Sequence, residues 1–397
     1  MSIGTAFHPR TAALNRKMVW REWAGYFAAG VYADAHDIEY NAVREAAAVF
    51  DVSPLYKYAV RGPDAVRLID RIIPRDATKI RRDSVIYTCW CDEDGKVLDD
   101  GTIARIGEQE FRWTAADPTF RWFHLNAHGL DVQFEDLTER VAALALQGRM
   151  ARHVLEALTG EDWAAVPYFG RRATSVGGAA VDVTRTGYTG DLGYELWVDA
   201  EAALSLWDSV LSAGEPFGIR PAGILALDVT RIEAGLILIE ADYTSARHAL
   251  NDEQRYSPSE IGLDRFVNLV KPGDFVGRRA LEREAAGDRP TRRLVGLEID
   301  WDGIQELFAE HGLPPHVQAE ASREPIPLYA GGRQVGKATS TTWSPTLKKM
   351  IALASVAAPQ SRSGTNLQVE WTVEGHRSTV GARVVGLPFF DPPRKRS

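Results

Sequence analysis

The stretch "RTGYTGDLGYELWV", Arg185 to Val198, places three glycines within seven residues directly before a run of large apolar residues around one glutamate, Glu195. A simple hairpin needs a glycine at its turn, not a glycine-rich approach to a carboxylate on an apolar strand. Such a carboxylate is costly to bury unless it is paired or hydrogen-bonded. Two arrangements meet that cost. One is an ion pair with Arg185 across the hairpin. The other is a buried carboxylate that accepts two N–H donors from a flat heterocycle, with the glycines letting backbone approach the ligand closely.

At 397 residues the chain suits two or three domains rather than one core. A net charge of -8 supplies no global basic field, so a nucleic-acid partner is not expected. The basic tail "PPRKRS" reads as a solvated end. Cys89 and Cys91, read as facing opposite sides of a strand, are expected to stay unpaired, which fits a reducing compartment. The N-terminal "MSIGTAFHPRTAALNRK" has no apolar core of a leader, and no run approaches the roughly 18 apolar residues of a spanning helix. A cytoplasmic protein without a membrane partner is expected.

Along the chain, "HDIEYNAVREAAAVF", 36–50, predicts a helix with Ile38, Val43, Ala46, Ala47 and Phe50 on one face. A strand "YAVRGP" and a helix "DAVRLIDRII" capped by Asp64 follow. An antiparallel meander comes next: "SVIYTCWC", the turn "DEDG", "KVLDDGTIARI", then "FRWTAA". "VAALALQGRMARHVLEALTG" reads as a strand running into a helix that Gly160 terminates. "GAAVDVTRTG" and "GYELWV" form a hairpin. Two helices, "AEAALSLWDSVLSAG" and "PAGILALDVTRIEAG", follow, the second with Pro221 at a first helical position. "DRPTRRL", 288–294, is the clearest linker. Beyond it the chain reads as strand and turn, interrupted by a helical insert, "WDGIQELFAEHGLPP", with Asp302 as its cap.

A second acidic feature is "LDDGT". Asp99 and Asp100 are adjacent on a strand and face opposite sides, so one points inward and is a perturbed acid. "GGRQVGKAT", 331–339, nearly matches a phosphate-binding loop. Ala338 stands where Ser or Thr should hold magnesium, and the segment lies between strands, so it reads as a hairpin turn. There is no G-x-G-x-x-G, G-x-S-x-G or H-E-x-x-H. His124 and His128 lack a third ligand, so no metal site is expected.

The order of the motifs carries more than any one of them. "FDVSPLYKYAVRGPDA", "YTCWCDEDGKVLDDGTI", "LALQGRMARHVL", "RTGYTGDLGYEL", "RPAGILALDVTRIEAGL", "DFVGRRAL" and "TSTTWSPTLKKMIALASV" occur in that sequence. The chain thereby resembles the glycine cleavage T-protein (aminomethyltransferase) family over nearly its whole length. The resemblance implies an α+β fold: a three-domain cloverleaf around a central hole that holds tetrahydrofolate, with a C-terminal β-barrel-like domain. It places residues 1–54 with 140–240 in a folate-binding domain, 55–139 with 241–287 in a second α+β domain, and 288–397 in the β-rich domain. By the same resemblance Asp100 sits by the reactive folate nitrogen and Glu195 grips the pterin. Thr114, Tyr168, Tyr188 and Arg185 join Glu195 as cofactor contacts.

The chain also departs from the T-protein pattern. Leu227 replaces the arginine of "ARD", Pro54 replaces the histidine of "DVSH", and the loop "YTSARHALNDEQRYSP" after Asp242 is longer. The insert at 301–315 has no T-protein equivalent. These changes resemble the demethylating branch, which includes dimethylsulfoniopropionate demethylase and aryl methyl ether demethylases. The reading is therefore transfer of a methyl group from a small S-, O- or N-methylated donor to tetrahydrofolate. Tyr56, Tyr243, Arg247 and His248 are the candidates for donor contact. The alternative is the aminomethyl transfer of the glycine cleavage system, and docking of a lipoyl carrier protein is not favoured. A non-catalytic folate-binding protein of iron–sulfur maintenance would carry a "KGCYxGQE"-type cysteine, and cysteines occur only at 89 and 91. A folate module of a flavin-linked demethylating dehydrogenase is a third reading: the dinucleotide domain it goes with is not encoded here, although a separate subunit could supply it.

Overall fold

The computed structural model describes residues 2–287, 290–316 and 319–397. The fold is α+β, organised around three large sheets, with a two-stranded one, Trp20–Trp23 and Tyr26–Ala29, near the N-terminus. The first has six strands in the order Arg171–Val176, Ala179–Thr184, Gly193–Asp199, Val141–Gln147, Ala48–Asp51 and Arg220–Pro221. Both of its faces are covered. Val181, Val183, Leu144 and Leu196 pack on helices Ala151–Thr159 and Ala203–Gly214 through Val154, Leu155, Leu206 and Trp207. Ala143, Ala145, Phe50 and Trp197 face helices His36–Glu45 and Ile224–Glu233.

The second sheet has five strands: Val85–Cys91, Val97–Arg105, Glu110–Ala115, Tyr56–Arg61 and Gln133–Asp136. Its Trp90, Ile103, Phe111, Trp113 and Tyr58 bury against Leu68, Ile69 and Ile72 of helix Ala65–Ile72. Alternation then turns Lys57, Arg112 and Thr114 to the opposite face. There Arg112 meets the first sheet, with Nη1 2.7 Å from Asp182 and its guanidinium 4.2 Å from the Trp197 ring centroid. The third sheet is a closed six-stranded barrel, Arg292 to Val385, filled by Leu297, Leu328, Ala352, Ala354, Val369 and Val384.

Two buried ionic networks fasten the barrel to helix Ile224–Glu233. Arg231, with no side-chain exposure, pairs with Asp242 and donates to Ser340 on the barrel. Asp242 also accepts from Thr339 and Ser340. Glu233 accepts from Tyr40, Arg44 and Ser344. These contacts give "TRIEAG" and "TSTTWS" their physical reason: each supplies half of an inter-sheet network.

Several local expectations need correction. The helix from His36 ends at Glu45, not Phe50, and Ile38 is exposed. Residues 48–51 pair with Val141–Gln147 instead, so strand pairing overrides the helix preference of the alanines. Asp64 precedes its helix but makes no cap, its carboxylate accepting from the Asp131 amide. Pro221 lies in a short strand three residues before the helix that Gly223 precedes. Asp300, not Asp302, caps the inserted helix Trp301–Glu310. Cys89 and Cys91 are free, but they share one buried cluster, because residues two apart on a strand face the same side. Of the expected linker, residues 288 and 289 lie outside the described residues, and Arg292 already begins a barrel strand. The turn at Gly331 and Gly332 joins two barrel strands, as expected for "GGRQVGKAT". Among the described residues no helix is long and apolar enough to cross a membrane.

Candidate functional site: acidic groups where the sheets meet

The second sheet splits the aspartate pair. Asp99 is fully buried and accepts from the amides of Asp100, Ala116 and Asp117 at 2.7, 3.1 and 2.9 Å, fixing the chain after strand Glu110–Ala115. Asp100 stays half-buried, and each of its oxygens has a phenol partner. Tyr87 donates to Oδ2 at 2.7 Å, and Tyr243 donates to Oδ1. Burial, and then the Asp100 charge, push Asp99 well up from the ordinary carboxylate range. Burial also raises Asp100, while the hydroxyls of Tyr243 and Tyr87 hold it back down. Gly101 completes the "DDG" motif for a steric reason: a Cβ there would collide with the Thr114 carbonyl on the next strand.

Glu195 lies across from Thr184 on the first sheet, on the face of Trp197 rather than that of Leu196. Its Oε2 accepts from Thr186 at 2.6 Å and Thr184 at 3.4 Å, whereas Oε1 has no protein partner among the described residues. Burial raises its pKa; Thr186 and the Arg112 guanidinium oppose that. Glu195 and Arg185 do not pair, since Arg185 is on the other face of the hairpin. The Arg185 guanidinium donates to the carbonyls of Val166, Lys395 and Ser397. The glycines have a packing reason of their own. A Cβ on Gly187 or Gly193 would strike the Gln147 amide, which Thr189 and the Thr186 carbonyl hold, and one on Gly190 would strike Ala234.

The remaining expected residues divide into two groups. Tyr188 is half-buried, donates to the Ile237 carbonyl, and has its pKa raised by burial and the carboxylates of Asp242, Asp100 and Asp228. Thr114 shares a hydrogen bond of 2.6 Å with Thr102, beside Asp100 on the same sheet. Tyr168 lies further out, edge-on to Phe169 and under Lys395. Of the donor-contact candidates, Tyr243 is committed to Asp100. His248 bridges Asp117 at 3.3 Å and Glu240 at 3.0 Å, and Arg247 donates to the Pro118 carbonyl. Tyr56 is opposite Ala115 and stacks beside Tyr58.

Sequence reasoning missed Tyr87, Arg112 and Lys57. Tyr87 is opposite Thr102 on the neighbouring strand, a position readable only once register is known. Lys57 is fully buried opposite Thr114, donates to the Ser53 and Leu55 carbonyls at 2.6 and 2.7 Å, and is pushed down to about 7 by burial. A lysine inside "YKYAV" was its one available signal.

Two sheets in contact through Arg112, with acids and phenols clustered at strand Val97–Arg105 and a barrel pinned beside them, define an α+β protein. Residues 7–271 match the GCVT N-terminal domain, and residues 292–391 match the glycine cleavage T-protein C-terminal barrel domain. An aminomethyltransferase of Moorella thermoacetica is 36% identical, covering 98% of each chain. A trimethylamine-oxide aldolase of Ruegeria pomeroyi is 34% identical over 100% of this chain and 48% of that protein. The crystal structure of glycine cleavage system aminomethyltransferase T from Bartonella henselae shares the fold, with a TM-score of 0.82 at 24% identity over 98% of this chain and 99% of that one. The chain belongs to the glycine cleavage T-protein family.

Proposed function

We propose that this protein is an enzyme that transfers a one-carbon unit to tetrahydrofolate. The observation that carries the reading is the state of two half-buried carboxylates: Glu195 has an Oε1 without a partner among the described residues, and Asp100 is held at both oxygens by phenols. Tetrahydrofolate supplies the nitrogen that accepts the carbon. The residues present fit it. A desolvated carboxylate oxygen without a donor suits the adjacent N–H groups of a pterin, and Thr186 and Thr184 aim Glu195. Asp100 keeps a negative charge where positive charge develops during transfer, and its two phenols fix that charge in place. In this reading Thr114 and Tyr188 would also line the folate, and Tyr168 and Arg185 would support the hairpin from its outer side.

The two phenols give a test of their own. Transfer needs Asp100 ionised, so it fails as pH drops through the Asp100 pKa. Hydrogen bonds to the charged form lower that pKa. Tyr243→Phe and Tyr87→Phe are therefore expected to move the acidic limb of the kcat/KM profile to higher pH, with the double variant moving furthest. An unmoved limb would show that the phenols do not act on Asp100.

Two donors compete. The names of the relatives favour an aminomethyl donor. Leu227, and the Tyr243–Tyr256 loop hydrogen-bonded along strand Val97–Arg105 beside Asp100, favour a small S-, O- or N-methylated donor. In that reading Arg247, His248 and Tyr56 would contact the donor; the first two face Asp117. Incubation with tetrahydrofolate and each donor class separates them: 5-methyltetrahydrofolate marks demethylation, and 5,10-methylenetetrahydrofolate with ammonia marks aminomethyl transfer. Neither product from either class, with folate bound, would overturn the transferase reading.

A further inference from the structure

We infer, on the folate reading above, that Arg112 is a positioning residue for Glu195: reaching across from the second sheet, it anchors the hydrogen-bond chain that ends on that carboxylate and places a positive charge behind it. The chain can be followed atom by atom. Arg112 is buried on strand Glu110–Ala115, with its guanidinium 4.2 Å from the centroid of the Trp197 ring and Nη1 2.7 Å from Asp182. Trp197 Nε1 donates to Thr184 Oγ1 at 3.2 Å. Thr184 Oγ1 donates in turn to Glu195 Oε2 at 3.4 Å. It also lies 2.8 Å from the Thr186 hydroxyl, which donates to the same Oε2 at 2.6 Å. Holding Oε2 in this way leaves Oε1 for the N–H groups of the pterin.

Register and charge point the same way. Asp182 is opposite Trp197, and Thr184 is opposite Glu195, so the clamp and the carboxylate occupy successive pairs on one face of the hairpin. On the second sheet Thr114 follows Arg112 on the same face and shares a hydrogen bond with Thr102, beside Asp100. Arg112 therefore ties the sheet that carries Glu195 to the sheet that carries Asp100. The charges around the clamp are unequal. Arg112 and Arg171 share the one carboxylate of Asp182, each at 2.7 Å. Lys57, opposite Thr114 and set against the carboxylates of Asp51 and Asp136, gains its charge as pH falls through about 7. An ionised Glu195 balances the excess positive charge. Burial raises the Glu195 pKa, which Thr186 and then Arg112 oppose; burial lowers that of Arg112, which Asp182 and Glu195 oppose.

The test is calorimetric titration of tetrahydrofolate into the full chain over a series of pH values. Glu195 must be ionised to accept from the pterin, so affinity falls as pH drops through its pKa. Arg112→Met removes the opposing charge and is expected to move that fall to higher pH by about one unit, the low end for an opposite charge beside a carboxylate. Arg112→Lys keeps the charge without the fork and should return the midpoint most of the way. In Glu195→Gln, which has no charge to tune, adding Arg112→Met should leave the pH dependence unmoved. Titration of the ligand itself is common to all these proteins and cancels in the comparison. Arg171 remains as a partner for Asp182, and the thermal midpoint without ligand reports the fold. Should Arg112→Met not fold, Trp197→Phe removes the Nε1 donor alone. It should weaken tetrahydrofolate by roughly three- to tenfold, and less in the Glu195→Gln background. An unmoved pH profile, or a loss of affinity equal at every pH and in both backgrounds, would make Arg112 a tie between sheets and overturn the inference while leaving the folate reading intact. Failure of the unsubstituted protein to bind tetrahydrofolate would overturn both.

Discussion

Asp100→Asn is expected to slow one-carbon transfer to tetrahydrofolate by roughly 10²–10³-fold, the scale for losing one preorganised electrostatic partner of a transition state. Its dissociation constant for tetrahydrofolate should change only a few-fold. The amide keeps the shape of the side chain and one acceptor, so Tyr243 or Tyr87 retains a partner. What the substitution removes is the negative charge to which the proposed transfer assigns its stabilisation. Single-turnover rates and calorimetry on the same preparation separate the two effects. An unchanged rate would remove Asp100 from the chemistry, and a matching loss of binding would make it a ligand contact only.

Arg231→Met is expected to produce the largest loss of stability, about 3–5 kcal/mol, because it strands the buried Asp242 charge. Hydroxyls of Thr339 and Ser340 and the Leu238 amide still point at Asp242, and they do not neutralise it. Adding Asp242→Asn should therefore restore part of the loss, since the stranded charge is gone and one oxygen remains to accept from Thr339 and Ser340. Denaturant midpoints of the two single variants and the double variant form the cycle. Losses that simply add would show that the pair is not coupled and that the barrel is held by packing alone.

The extent to which the chain was legible follows from how local each determinant is. The meander around "DEDG", the strand-to-helix unit ended by Gly160 and the hairpin around Glu195 are set by neighbouring residues, and all three stand in the structure. Asp100 and Glu195 were visible because a carboxylate on an apolar strand conflicts with its surroundings. Partners were not visible. Arg185 is adjacent to the hairpin turn in sequence yet points to the other face, whereas Thr186 and Arg112 serve Glu195 from positions fixed only by register and by sheet-to-sheet contact. The helix drawn through residue 50 failed for the same reason. Its last residues form a strand beside Val141–Gln147, about ninety residues away, and no local pattern announces that neighbour. The bond from Tyr243 in the loop after Asp242 to Asp100 was equally invisible, since it joins residues far apart in the chain.

The central claim is that this site takes tetrahydrofolate through Glu195. Calorimetric titration of tetrahydrofolate into the protein and into Glu195→Ala tests it most directly. A single site is expected in the unsubstituted protein. A loss of affinity on the order of 10- to 100-fold is expected in the variant, from removal of charge-assisted hydrogen bonds. Ligand at a hundred times its dissociation constant should add about 2.7 kcal/mol to the stability of the unsubstituted protein. Equal affinity in the two proteins, or no binding in either, would contradict it.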